Sequence, residues 1–474
     1  MISSSQTGRR ALMGLLPRSL SSGIHRGMSG TPLPPFAFTP PTYDGPSNEQ
    51  VHQMRTQFHG PLVTFYKKPV MIVEGKQQYL FDETGRRYLD MFAGIVTVSV
   101  GHCHPKVTKA VTDQMQRLQH TTNIYLNPQI ALYSQELMAK FADVENLKDG
   151  TVFFTNSGSE ANDLAMVLAR IYTGSFDILA LRNCYHGMSA HTMGVTALST
   201  WKYSLPQGFG IHHVACPHSF RSAVPKNMAA DFYAAELASA IQFSTSGRVA
   251  AFIAESIQGV GGAVTFPPGY LQQAYHIVRS HGGLCIADEV QTGFGRMGSE
   301  FWGFQSHGVE PDIVTMAKGI ANGFPMGAVV AKKEVMERVN DKLFFNTYGG
   351  NPMACAAGRA VLEVIEEEGL QANCAHVGGY LKGRLAGLKD QYELVGDVRG
   401  RGLMLGVELV KDRETKEPAK AETNEVFESL RESGILVGKG GLHGNVLRIK
   451  PPMCITMEDA EFFAHSLEQA LKKI

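Results

Sequence analysis

Residues 284–298 read LCIADEVQTGFGRMG, and residues 311–325 read PDIVTMAKGIANGFP. In the first stretch an apolar run from Leu284 to Ala287 stops at two acids, Asp288 and Glu289. In the second, the run from Ile313 to Ala317 ends in Lys318, followed by glycine. Each run is short, apolar and bounded by Gly or Pro, the pattern of a strand buried on both faces. Ligands of an open α/β sheet sit at the carboxyl ends of its strands. The two stretches therefore predict an acid and a lysine delivered to one edge of one sheet. A buried acid beside a reactive amine is what pyridoxal phosphate requires. Its aldehyde condenses with a lysine, and its pyridine nitrogen stays protonated against a carboxylate so that the ring can draw off electrons.

Working outward, short apolar strands alternate with amphipathic helices. Strands are expected at residues 151–155 (TVFFT), 177–181, 249–254 and 283–287, with helices from Ser159 to Tyr172 and from about Tyr270 to His281. This βαβ rhythm runs to about residue 345 and implies a mainly parallel sheet. Before it, Val70 to Met91 reads as a small antiparallel meander, and Pro105 and Pro128 each stand at a helix start. After it, Asn351-Pro352 opens a long helix. A smaller α+β unit then follows, with strands at residues 403–409, 435–437 and 446–449 and a closing helix from Met457. The expected division is 1–45 leader and linker, 46–104 an N-terminal segment belonging to the small domain, 105–350 the large domain and 351–474 the C-terminal small domain.

Residues 153–163, FFTNSGSEAND, form a strand, a Gly/Ser turn and a helix start. Unpaired amides at a helix N-terminus bind phosphate, and Gly158 permits close approach while Ser159 adds a hydroxyl. The same residues satisfy an ordinary capping box, Ser157 with Glu160. Tyr185, in YHG after the strand ending at Leu181, is placed to stack on a flat heterocycle. Three decoys carry less weight. GFGRMG at residues 293–298 matches a dinucleotide fingerprint but neither directly follows a strand nor opens a helix. IADE resembles a nucleotide-binding acid pair, yet the chain has no GxxxxGK[ST] loop. His212, His213, Cys216 and His218, like His102, Cys103 and His104, have ligand-like spacing without a second cluster, so no metal is expected.

Lys+Arg (44) balance Asp+Glu (44), which gives no pointer to nucleic acid. No apolar run is long enough to span a bilayer. Seven cysteines stand singly, an odd number that argues against a disulfide framework. From Met1 to Tyr43 there is no acid, while Arg9, Arg10, Arg18 and Arg26 are interleaved with serines. That composition is the signature of an organellar transit peptide, and a matrix that is negative inside draws such a segment inward.

SGSEAND, YHG, ESIQG (residues 255–259), DEVQTGFGR, MAKGIANGFP and NTYGGNP (residues 346–352) occur in the order and spacing of class III, fold-type I aminotransferases. The chain resembles that family from about residue 55 onward. FAGIVTVSVGHCHP, NPMACA, VGDVRGRGLM and PPMCIT extend the likeness toward its mitochondrial members. The resemblance implies a seven-stranded-type sheet in the large domain and pyridoxal 5'-phosphate as cofactor. It also implies a homodimer, with pairing of dimers into tetramers left open. Lys318 would carry the cofactor as the internal aldimine, and Asp288 would hold the pyridinium proton. Val290 and Tyr185 would cover the two ring faces. Gln291 would bond the ring hydroxyl, Gly158 and Ser159 the phosphate, and Thr347 the phosphate of the neighbouring subunit. Glu255 would orient the site, and Ile95 would limit the substrate side chain.

Two positions depart from relatives. Ser256 replaces a common proline, which is expected to loosen its loop. Val260 stands where relatives acting on terminal amines carry a glutamate. Arg448, in LRIKPP, would then lack that partner and clamp a substrate carboxylate. This favours alanine with glyoxylate or pyruvate, with 3-aminoisobutyrate or methylated arginines as further donors. The alternative is a phospho-lyase of the same fold acting on phosphoethanolamine or phosphohydroxylysine.

Overall fold

The computed structural model describes residues 32–61, 64–206 and 208–474, so most of the expected leader lies outside the described residues. Two seven-stranded sheets organise the chain. Strands β1 (Ile72–Lys76), β2 (Tyr79–Asp82) and β3 (Arg87–Met91) come first. They are followed by β4 (Thr151–Thr155), β5 (Ile178–Leu181), β6 (Ile211–Val214), β7 (Ala251–Glu255), β8 (Leu284–Asp288), β9 (Ile313–Met316) and β10 (Gly327–Ala331). The last four are β11 (Val395–Arg401), β12 (Met404–Leu409), β13 (Ile435–Gly440) and β14 (Val446–Ile449).

The larger-domain sheet has the order β4-β10-β9-β8-β7-β5-β6. Its neighbours pair in parallel except β10, which runs antiparallel to both β4 and β9. Strands β7, β8, β9 and β10 are buried at every position, which explains their unbroken apolar runs. The second sheet has the order β1-β2-β3-β13-β14-β12-β11. The N-terminal meander thus joins the C-terminal strands through a parallel β3–β13 pair.

Helix ends follow local chemistry. In the helix Gly158–Thr173, the Ser157 side chain accepts from the Glu160 amide, and Gly174 closes the other end with φ +64°. Pro352–Glu367 starts with Pro in the first turn, and Asn351 accepts from the amides of Met353 and Ala354.

Three strands escape the sequence reading. β6 (IHHV) and β11 (VGDVRGR) carry too few apolar residues to show a period, and β10 (GAVVA) is a short run of small residues close behind the lysine loop.

Among the described residues no helix is long and apolar enough to cross a membrane, and no group of three or more His, Cys, Asp or Glu is placed to hold a metal. The histidines of the suspected clusters have separate partners. His102 meets Asp90, His104 meets Glu368, His212 meets Asp177, and His213 bonds the Val195 carbonyl. GFGRMG is a structural loop: Arg296 is fully buried and donates to the carbonyls of Leu403 and Pro451.

Beside that loop, Trp302 is wholly buried against Phe141, Phe294 and Phe301 and donates its indole N–H to the Lys140 carbonyl at 2.9 Å. Trp302→Ala removes that filling and orphans the carbonyl. It is expected to cost about 3–5 kcal/mol, read as a lowered denaturant midpoint with an unchanged slope.

Candidate active site

The carboxyl ends of β7, β8 and β9 meet in register. Glu255 pairs with Asp288, and Asp288 with Thr315. Lys318 follows β9 by two residues, in a left-handed backbone with φ +51°. A non-glycine residue held there stores about 1–3 kcal/mol, which the surrounding packing must offset. One such restraint is Gly319: a Cβ at this position would lie 2.3 Å from the Ser99 hydroxyl.

Asp288 is almost fully buried, yet three donors converge on it. Asn162 Nδ2 reaches Oδ2 at 2.8 Å, His186 Nδ1 reaches the same oxygen at 2.7 Å, and the Val290 amide reaches Oδ1 at 3.0 Å. Asn162 is itself fixed, because its Oδ1 accepts from Thr315 Oγ1 and its Nδ2 also bonds the His186 carbonyl. Burial pushes the Asp288 pKa up, but the bond and charge of His186, with Asn162 and the Val290 amide, outweigh it and hold the carboxyl below its ordinary value. Lys318 is also shifted below its ordinary value. Burial lowers its pKa, with Asp288 and Glu255 resisting and Arg448 assisting. An acid and an amine, each shifted below its ordinary pKa, therefore share one pocket.

That pocket, a cavity of about 120 Å³, is lined by Gly158, Ser159, Tyr185, Glu255, Asp288, Val290, Gln291 and Lys318, with Ser157, Asn162, His186 and Gly187. Glu255 accepts from the amides of Tyr185 (3.0 Å) and Gly259 (2.7 Å), which ties the YHG turn to the ESIQG turn. The Tyr185 ring rests edge-on against Trp201 at 5.0 Å. At the helix start, Ser157 caps the Glu160 amide, but the Glu160 carboxylate reaches back to the Asn156 amide instead of that of Ser157. Only half of the expected capping box forms. Gly158 is a cradle: its Cβ would come within 3.2 Å of both Val290 methyls. Gly187, at φ +129°, would place a Cβ 2.4 Å from Ser159 Oγ.

Three of the residues singled out from the sequence do not line this cavity. Arg448 lies behind it, fully buried, with Nη1 3.5 Å from the Gly259 carbonyl and the guanidinium 4.9 Å from the Phe92 ring centre. Among the described residues it forms no ion pair, and its Nε has no partner. Burial pushes its pKa down to about 10, so it stays cationic at neutral pH. Ile95 sits in a turn in which Ala93, Gly94, Ile95 and Val96 all have positive φ. The Asp90 carboxylate pins this turn by accepting from the amides of Phe92 and Ala93 at 2.8 Å each, and its other oxygen meets His102. Thr347 is exposed, next to Asn346, whose side chain bonds Asn156 at 2.8 Å.

Sequence reasoning passed over Asn162, His186 and Lys450, although each lay inside a quoted motif. Asn162 is one helical turn from Gly158, and Lys450 stands two residues after Arg448, just past the end of β14, so spacing held the signal. The Ser256 hydroxyl, expected to leave a looser loop, donates to Glu289. Glu289 also accepts from Thr292 Oγ1 and from the amides of Gly303 and Phe304. The second acid of IADE is thus a loop anchor.

The donor set fits pyridoxal phosphate. It offers an amine for the aldehyde, an ionised acid with a free lone pair for the ring N–H, and a glycine-lined helix start for the phosphate. Comparisons agree. The family model Aminotransferase class-III matches residues 64–471. The chain is 53% identical over 443 residues to the alanine–glyoxylate aminotransferase 2 homolog 2, mitochondrial, of Arabidopsis thaliana, covering 93% of this chain and 91% of that one. It superposes on a phospholyase from Arthrobacter in complex with phosphoethanolamine, with TM-score 0.83 and 34% identity, covering 90% of this chain and 100% of that one. It also superposes on an amine transaminase from an uncultivated Pseudomonas species in the PLP-bound (internal aldimine) form, with TM-score 0.82 and 31% identity, covering 88% and 98%.

Ser256→Ala leaves a buried carboxylate short of one donor. It is expected to lower stability by about 1–3 kcal/mol in denaturant unfolding. An unchanged midpoint would show that the hydroxyl does not tie the loop.

Proposed function

The chain belongs to the class-III aminotransferase family, and from that premise we propose that it moves the amino group of a small amino acid, alanine foremost, to glyoxylate or pyruvate in two half-reactions at Lys318. The observation that carries this reading is the cavity shared, at adjacent strand ends, by an Asp288 carboxyl held below its ordinary pKa and a Lys318 amine pushed below its own. The name of the Arabidopsis relative supports the choice of substrates. The same name, with the acid-free leader, supports a mitochondrial address, in the matrix.

Pyridoxal phosphate, when bound, supplies the carbonyl that captures an amine and the electron-poor ring that makes the neighbouring C–H acidic. The protein supplies the rest. Lys318 would anchor the aldehyde, and once released its amine would take the substrate Cα proton and hand it to the former aldehyde carbon, two bonds away across the nitrogen. Asp288, kept ionised by His186 and Asn162, accepts the ring N–H and so preserves the ring's positive charge. Gly158 and Ser159 hold the phosphate, Val290 and Tyr185 bracket the ring, and Gln291 donates to its phenolic oxygen. Glu255 fixes the turn that carries Tyr185.

Arg448 has no carboxylate of its own, so a substrate carboxylate completes it. Two N–H groups to one carboxylate orient the Cα–H toward Lys318. Ile95, in its left-handed turn, limits side-chain size. Thr347 reaches the cofactor phosphate of a second copy. That homodimer is supported by exposed Leu343, Phe345 and Tyr348 around it and by exposed Ile124, Tyr125 and Leu126.

A donor–acceptor panel on purified protein tests the reading. Alanine with glyoxylate should give glycine and pyruvate, and Lys318→Ala should abolish turnover and the visible cofactor band. Arg448→Gln should raise KM for the oxo acid by about tenfold or more, equivalent to one charge-assisted bond. Because the neutral amine attacks, the rate at which apoprotein captures the aldehyde should rise with pH and level off below pH 10.5, the ordinary lysine value. A rate still climbing past that value would contradict a lowered Lys318. The likeness to the Arthrobacter phospholyase makes phosphoethanolamine the control substrate. Phosphate release faster than transamination would replace this assignment with a lyase.

A further inference from the structure

We propose that Lys450 is a positioning residue that orients the Gln291 amide, so that the cavity wall presents an N–H donor to the phenolic oxygen of the cofactor. The inference rests on the pyridoxal reading above and adds a residue to it. Lys450 follows β14, two residues beyond Arg448, and its side chain is 0% exposed. Among the described residues it forms no ion pair. Its Nζ instead lies 2.8 Å from Gln291 Oε1 and 3.3 Å from the Gly259 carbonyl.

The geometry fixes which way the amide faces. A primary amide presents an acceptor on one side and two donors on the other. The Lys450 side chain directs hydrogens at both oxygens, so Gln291 must turn its oxygen toward Lys450. Flipping the amide would set N–H against the N–H of a charged amine in this buried site and leave the Gln291 oxygen without that donor. Burial, with Arg448 alongside, pushes the Lys450 amine well below its ordinary value; a neutral amine keeps the same arrangement when its two hydrogens lie on these same two oxygens and its lone pair points away from the amide. The third restraint is Gly259. Its Cβ would fall 2.3–2.5 Å from the oxygen, carbon and nitrogen of the Gln291 amide, so the amide lies flat on a surface that only glycine provides. Gln291 lines the cavity, whereas Lys450 is absent from its lining. Lys450 therefore acts on the cofactor only through Gln291. Its cost is an amine buried without a counter-ion, and the return is an amide with one available orientation.

The test is a double-mutant cycle on the holoenzyme: wild type, Gln291→Leu, Lys450→Met and the pair. Two readouts besides turnover are followed, the rate of cofactor release seen as loss of the visible band, and the pH midpoint of that band. Lys450→Met should speed release by about 3–10-fold, the worth of one hydrogen bond, and shift the midpoint in the same direction as Gln291→Leu. Added to Gln291→Leu, it should change neither quantity further. Lys450→Gln, which keeps a donor on a shorter arm, should recover part of the loss and serves as the second variant if the methionine form does not fold. Additive effects in the pair, or a Lys450→Met enzyme with wild-type release and midpoint, would overturn the proposal. A wild-type protein with no visible band would instead overturn the pyridoxal reading on which it rests.

Discussion

The Asp288 carboxylate is 3% exposed, and an isolated charge at such a position would be protonated or would move. It remains ionised because Asn162, His186 and the Val290 amide each donate to it. Much of the large domain can be read as what this requires. Asn162 must come from the helix behind the phosphate turn, and His186 from the turn after β5. Both are held in place by bonds to the ends of neighbouring strands. The parallel sheet delivers these groups to one edge without any of them lying close in sequence.

A second constraint is conformational. Lys318 and the turn at residues 93–96 both occupy left-handed backbone, including two β-branched residues, Ile95 and Val96, for which this is costly. The strained pieces pack on each other through Gly319 and Ser99, and each is held from behind. Asp90 pins the turn, and the Met91 carbonyl accepts from the amide of Lys450 at 2.8 Å. The meander and the C-terminal strands thus meet beside the turn at residues 93–96. That explains why residues so far apart in the chain share one sheet: the site needs a wall rigid enough to hold unfavourable φ values.

Much of this was legible in the chain. The acid and lysine at strand ends, the glycine-serine turn and the YHG tyrosine each announce a chemistry, and β4, β5, β7, β8 and β9 are apolar enough to be seen. What stayed hidden had a common cause. β6 and β11 carry His, Arg and Gly and show no period, because their stability comes from pairing and not from burial of every side chain. His186, Asn162 and Lys450 look like ordinary polar residues until the fold brings them against Asp288 and Gln291. Ser256 looked like a weakness because it replaces a proline; its hydroxyl has a partner, Glu289, thirty-three residues away. Periodicity reveals which face is buried, but not which buried polar group will find which other.

Two lysines, the half-buried Lys318 and the fully buried Lys450, stand near one cavity and do different work. Reducing the holoenzyme with borohydride, digesting it and locating the added cofactor mass by peptide mass spectrometry separates them directly. The account predicts close to one reduced cofactor per chain, on the peptide that contains Lys318 alone. Label on Lys450, or spread over surface lysines with Lys318 unmodified, would contradict it.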